Sequence, residues 1–201
     1  MRYFLLALLL SAAAPVFAQK QEIAIPTDSA THKVTYSEVI QVPGASKADL
    51  YSRAKLWAAK TFPSTDATVQ LTDAEAGRII ARGWTRINIV TLGIANPMKL
   101  WFLVQIDVKD GRYRSIVTDL EYQGEYNPRV TVMSAAAQTA RTPADETLTL
   151  HNERTHTKKG ELRPIFASYR TQTNDAVLQL QAGIKAALTA SPSTGVSNSD
   201  F

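Results

Sequence analysis

The sequence predicts an α+β domain, an antiparallel sheet of about five strands with two helices packed on one of its faces. Three observations lead there. Two stretches alternate apolar and polar residues, with Val34, Tyr36, Ile40 and Val42 in one and Leu100, Phe102, Val104, Ile106 and Val108 in the other. This period of two marks strands with one buried side. Two further stretches carry apolar residues at helical spacing: Leu50, Ala54, Trp57, Ala58 and Phe62, then a longer series between Leu162 and Leu188. Each is a helix with one apolar stripe. The order strand, helix, four strands, helix (β-α-β-β-β-β-α) leaves one strongly apolar sheet face and two helices that need cover. Laying both helices on that face buries all of them and leaves the other face open.

The chain begins Met1-Arg2, continues with an apolar run from Tyr3 to Ala14, and reaches Pro15-Val16-Phe17-Ala18 before Gln19. A basic start, an apolar segment too short to span a bilayer and small residues at Val16 and Ala18 make up a secretory signal peptide over 1–18. Cleavage after Ala18 leaves 183 of the 201 residues, exported to the periplasm or beyond. That length suits one domain with a modest extension. Cysteine is absent, so there is no disulfide, no thiolate metal ligand and no acylation site for a lipoprotein anchor. No later run is long enough to cross a membrane, and a soluble mature protein is expected.

Residues 19–33 are polar and aperiodic and read as a leader, and the domain then runs over 34–190. Its first strand, with Glu38 as the exception in the pattern, ends at Pro43-Gly44. Ser46 follows as a helix N-cap, with Asp49 placed against the free amides and the positive end of the helix dipole. Pro63 stops this helix. A short strand at 67–71 and a turn at 73–77 lead to a long strand over 78–92. There Ile79, Ala81, Gly83, Thr85, Ile87 and Ile89 hold the odd positions, and Arg82, Trp84, Arg86 and Asn88 the even ones. Asn96-Pro97 makes 93–98 a connection, and the next strand runs over 99–109.

Lys109-Asp110-Gly111-Arg112-Tyr113-Arg114 is a glycine turn between two alternating strands. A two-residue Asp110-Gly111 loop would pair Val108 with Tyr113 and send Asp119 and Glu121 to the buried side. A three-residue loop with Gly111 in a bulge pairs Val108 with Arg112, Val104 with Ile116 and Leu100 with Leu120. A one-residue slip flips every side chain, so burial favours the bulged turn. Its blemish is Arg114, which then points inward opposite Ile106. The segment 127–160 reads as an insertion, alanine-rich over 130–140, in which Thr142-Pro143-Ala144-Asp145 could start a short helix. The long final helix has Pro164 near its start, and 191–201, rich in Ser, Asn, Gly and Pro, reads as a disordered tail.

The chain carries 22 basic and 18 acidic residues, a formal charge of +4. So small and scattered an excess argues, with export, against a nucleic-acid partner.

The chain resembles a family of exported proteins, the domain of unknown function 4468, described as having a TBP-like fold. The resemblance rests on the opening strand ending in Val42-Pro43-Gly44, on Leu50-Tyr51 and Leu56-Trp57, on Ile79-Ile80-Ala81-Arg82-Gly83, and above all on Lys109 to Arg114. It covers about Val34 to Tyr122, with the last helix as a further candidate. It implies the same sheet-with-two-helices architecture and implies export. It supplies no activity, cofactor or catalytic residue.

For function, the open face is the candidate. In the bulged register it carries Arg82, Trp84, Arg86 and Asn88, then Trp101, Leu103, Gln105 and Asp107, then Tyr113, Ser115, Val117 and Asp119. Two tryptophans, a tyrosine and two arginines are the residue types enriched at interaction hot spots. The candidate binding face is therefore Arg82, Trp84, Arg86, Trp101, Leu103, Tyr113 and Val117. Three occupants stay open: the 127–160 segment itself, a second copy of the chain, or a ligand or partner such as another envelope protein, a glycan or a small apolar molecule. His151, Glu153 and His156 lack the third or fourth converging ligand that zinc needs and read as a solvated segment. Asp107 with Asp119, or Asp73 with Glu75, imply no pocket for acid/base work. No nucleophile motif or phosphate-cradling glycine loop is present. The expectation is a non-enzymatic binding module with no cofactor and no metal. The alternatives are an envelope hydrolase with its site between the open face and 127–160, and a structural homodimer.

Overall fold

A computed structural model describes residues 23–62, 68–129 and 134–190. The predicted signal peptide over 1–18 and the predicted tail over 191–201 lie outside the described residues. Strand β1 (Tyr36–Gln41) is followed by helix α1 (Lys47–Thr61), then by β2 (Thr68–Asp73), β3 (Arg78–Thr91), β4 (Ile94–Lys109) and β5 (Arg112–Gly124). Three short elements come next, α2 (Ala135–Thr139), β6 (Arg141–Pro143) and α3 (Asp145–Thr149), and the long helix α4 (Pro164–Thr189) completes the fold. The strands pair antiparallel in the order β1-β5-β4-β3-β2, and β6 pairs with the far end of β5, beyond the reach of β1.

Both long helices lie on one face, α4 along β3 and α1 against β4, as their apolar stripes require. Leu50, Ala54, Trp57, Ala58 and Phe62 of the first stripe are all buried, as are Val177, Ile184 and Leu188 of the second. They meet Ile79, Ala81, Ile87 and Ile89 of β3 and Leu100, Phe102, Val104, Ile106 and Val108 of β4. Ser46 caps α1, its Oγ accepting from the Asp49 amide at 3.2 Å, and Pro164 occupies the first turn of α4, where a missing N–H costs no bond.

The β3–β4 connection is shorter than the 93–98 predicted. It is the two-residue turn Leu92-Gly93, with φ of +50° and +78°. Two left-handed central residues give the hairpin a twist that matches its strands. Asn96-Pro97 is thus strand, and β5 ends opposite Met98, so Pro97 lies where β4 has a single neighbour and proline is tolerated.

The β4–β5 turn also corrects the prediction. Val108 pairs with Tyr113 and Lys109 with Arg112, so the loop is Asp110-Gly111, with Gly111 at φ +71°. With a regular β5 this register sends Asp119 and Glu121 inward, the burial objection that favours the bulged turn in the sequence. A bulge in β5 removes the objection: Trp101 pairs with Glu121 and Leu103 with Thr118, so β5 carries one residue more than β4 between them. Asp119, at φ +49°, sits in that bulge. Before the bulge Tyr113, Ser115 and Val117 face the helices; after it Leu120 and Tyr122 do. Arg114 then lies opposite Asp107, an ion partner, and not opposite Ile106.

The predicted leader and insertion both join the core. The leader forms a small hairpin, with Thr27 bridged to Val34, and Ile25 packs on the core. The insertion supplies Ala144 and Leu148, each fully buried, and Asp145 accepts a 2.7 Å hydrogen bond from the Val34 amide. The short helix expected after Thr142-Pro143 is α3.

Candidate functional site

Partners opposite one another in antiparallel strands point to the same side of a sheet, so the register assigns the face away from the helices. Arg78, Ile80, Arg82, Trp84 and Arg86 of β3 stand opposite Asp107, Gln105, Leu103, Trp101 and Lys99 of β4. Arg114, Ile116, Thr118, Glu121 and Gln123 of β5 continue these rows, and Val39 and Ser37 of β1 extend two of them.

This face divides into two halves. In the half near β6 the predicted hot-spot residues are engaged within the molecule. Trp101 is 2 % exposed although it lies away from the helix-side core. Its Nε1 donates to Gln123 Oε1 at 2.7 Å, and the Arg141 guanidinium lies 3.6 Å from its ring centroid. Gln123 Nε2 donates in turn to the Thr139 carbonyl. Trp84 is half-buried, 6.3 Å from Trp101 between centroids, with Lys99 Nζ 4.3 Å above its ring. Arg82 pairs with Glu121, and Arg86 with Glu125 at 2.6 Å. The 127–160 segment therefore covers this half, through α2 and β6.

Tyr113 and Val117, predicted on this face, are in the core at 1 % and 0 % exposure. The two-residue turn inverts their parity relative to the bulged one, which is why they leave the candidate surface. Leu103 stays on the open face, half-buried. The structure thus keeps Arg82, Trp84, Arg86, Trp101 and Leu103 together, buries Trp101 under β6, and removes the other two.

The second half lies toward the β4–β5 turn and has no helix or strand of the described residues over it. Its centre is Ile80, Leu103, Gln105 and Ile116, all half-buried, with exposed Val39 and Leu71 at the two edges. The sequence reading missed Ile116 because the bulged register placed it inward, and Val39 because β1 was not paired; Ile80 has the same even parity as Arg82 and Trp84 and escapes notice as an apolar residue among polar ones. One signal was available: apolar parity changes between Val117 and Leu120, which is what an extra residue in a strand produces.

Asp107 anchors this half. Arg78 Nε donates to it at 2.6 Å, Arg114 at 2.7 Å and Gln105 Nε2 at 2.9 Å. Burial pushes its carboxyl up, but the hydrogen bonds from Arg78, Arg114 and Gln105 together outweigh this and hold it below the ordinary 3.8. A depressed folded pKa means that the stabilisation is complete above the unfolded value and fades as the pH falls through the folded one. Asp107→Asn is expected to cost about 1–2 kcal/mol at neutral pH, with a smaller gap to the wild type at about pH 3, as urea unfolding at the two pH values would show.

His156, expected in a solvated segment, is buried at 4 % exposure; its Nδ1 lies 2.8 Å from Thr155 Oγ1 and its ring 3.6 Å from that of His151. Among the described residues no group of three or more His, Cys, Asp or Glu is placed to hold a metal ion, and no helix is long and apolar enough to cross a membrane.

An antiparallel sheet with two helices on one face and a partly open opposite face defines an α+β domain of the TBP-like class. Residues 36–123, which run from β1 almost to the end of β5, match the family model described as a domain of unknown function (DUF4468) with TBP-like fold. A DUF4468 family protein from Bacteroides ovatus is similar in structure at a TM-score of 0.64 and 19 % identity, over 86 % of this chain and 94 % of that one. A TBP-like protein from Parabacteroides distasonis matches at 0.64 and 16 %, over 84 % of this chain and 99 % of its own. The shared fold therefore extends past the family model into the later elements. No curated protein matches the chain.

Proposed function

We propose that this is an exported, non-enzymatic binding module, and that it engages a partner in the cell envelope through the turn-side half of its open sheet face. The observation that carries the reading is the uncovered row of Ile80, Leu103 and Ile116, flanked by exposed Val39 and Leu71. Clustered apolar side chains on a sheet face with no helix above them among the described residues favour a partner. The arginines beside them are held by carboxylates and present fixed, oriented donors, a common feature of protein interfaces. Export follows from the basic, apolar and small-residue pattern of 1–18.

The hydrolase reading needs a cleft between this face and the 127–160 segment. There Trp101, Arg141, Gln123 and the Thr139 carbonyl pack against one another, which favours binding over catalysis. The homodimer reading uses the same apolar row with a second copy as its occupant.

Ile80→Lys with Ile116→Lys introduces charge on this surface without touching the helix-side core. The protein is expected in the envelope fraction, beginning at Gln19, and the wild type should co-purify with a defined partner that the folded double variant loses. A folded double variant with an unchanged set of partners would contradict the reading, and a partner that is a second copy would assign the homodimer.

A further inference from the structure

The Lys109 to Arg114 turn, prominent in the sequence, gains a role from the corrected register. Lys109 and Arg112 are cross-strand partners, and counting by two from Asp107 and Arg114 sets both on the open face. With Val39, Asp107 and Arg114 they line a cavity of about 260 Å³ at the turn end of that face.

Two features of this cavity need a reason. Its charge is unbalanced: Lys109, Arg112 and Arg114 line it against the single carboxylate of Asp107, which already holds Arg78 as well as Arg114. Furthermore, neither the Lys109 nor the Arg112 side chain has an ion-pair or hydrogen-bond partner among the described residues. The other arginines on the face, Arg78, Arg82, Arg86 and Arg114, each have a carboxylate. Like charges directly opposite across two strands are destabilising. Two unpaired cations in that relation, in a concave site, are an arrangement that folding alone does not favour and that a bound anion relieves.

We infer that this cavity binds an anionic group, a carboxylate or a phosphate, between Lys109 and Arg112 with Arg114 as its wall. Arg112 offers a planar fork suited to two acceptor oxygens and Lys109 a compact point charge. The volume is below that of sites enclosing a whole drug-sized ligand, so the cavity holds an end group. The rest of such a ligand would run over Val39 toward Ile116, Gln105 and Ile80. The inference rests on the open-face reading and adds the chemistry of what is bound there.

The test is calorimetric titration of the full mature protein with inorganic phosphate and, separately, with citrate, at constant ionic strength. Saturable one-site binding of at least one probe is expected, and the stronger of the two tells phosphate from carboxylate. Lys109→Ala with Arg112→Ala should weaken it at least tenfold. That variant removes a repulsion and should fold with a melting temperature no lower than that of the wild type. Lys185→Ala, an exposed cation on α4, should leave binding as it is. Absence of saturable binding, equal loss in Lys185→Ala, or no loss in the double variant would overturn the inference. Partner capture that still depends on Ile80 and Ile116 would then leave the open-face reading standing, whereas loss of both would remove it too.

Discussion

Replacing Trp101 by alanine is expected to cost about 3–5 kcal/mol of folding stability, the range for emptying a buried tryptophan site. From the sequence Trp101 belongs to an exposed binding face, where truncation would change stability by no more than about 0.5 kcal/mol. The two expectations differ enough for one urea series to separate them. Trp101 is 2 % exposed, and three contacts from different parts of the chain converge on it: the Gln123 amide, the Arg141 guanidinium and the Trp84 ring. Alanine leaves Gln123 Oε1 without its donor and Arg141 without a surface to stack on, so the pairing of β6 with β5 should loosen as well. Trp101→Phe keeps most of the buried area and loses the indole hydrogen bond, and should cost about 1–2 kcal/mol. A drop in the urea midpoint at constant slope would report stability alone.

Gly83→Ala should destabilise by about 2–3 kcal/mol, the cost of overfilling a packed core. Gly83 is in mid-strand on the helix side, and a Cβ there would lie 2.4 Å from Phe62 Cε1 and 2.5 Å from Cδ1. The Phe62 ring cannot yield easily: it is 8 % exposed, edge-on to Trp57 at 5.5 Å and 6.1 Å from Phe102. Gly83 thus lets the end of α1 close onto β3. Phe62→Ala alone leaves a cavity and is also costly, but with Gly83→Ala present the added methyl has space. The double variant should therefore fall short of the sum of the singles by at least about 1 kcal/mol. Additive losses would mean that the two residues do not share the site.

Local chemistry made much of this fold legible in the sequence. The apolar stripe of α1, its Ser46 cap and the alternating face of β4 are short-range patterns, and each matches the structure. The two turns were misread for physical reasons. Asn96-Pro97 has the composition of a loop, yet the chain turns at Leu92-Gly93, and nothing in leucine's own preferences announces a left-handed residue there. At the β4–β5 turn the burial argument assumed that β5 stays regular as far as Glu121. A bulge at Asp119 satisfied the same burial with the other register, and the misplaced Arg114 was the visible cost of the wrong one. The candidate site was legible only as a face. Which half is free depends on Arg141 reaching Trp101, a contact across 40 positions that no local pattern encodes. Tyr113 and Val117 left the site and Ile116 entered it through a single residue of register, whereas Ile80 and Val39 lie on the open face by strand parity alone.

The role of the uncovered half-face is tested most directly by photo-cross-linking in the native host, with the reactive side chain placed in turn at Ile80, at Ile116 and at Leu178, which is 51 % exposed on α4. Discrete adducts with one partner from Ile80 and Ile116, and none from Leu178, are the expected result. Adducts from Leu178 alone, or from none of the three positions, would contradict the assignment of this face as the binding surface.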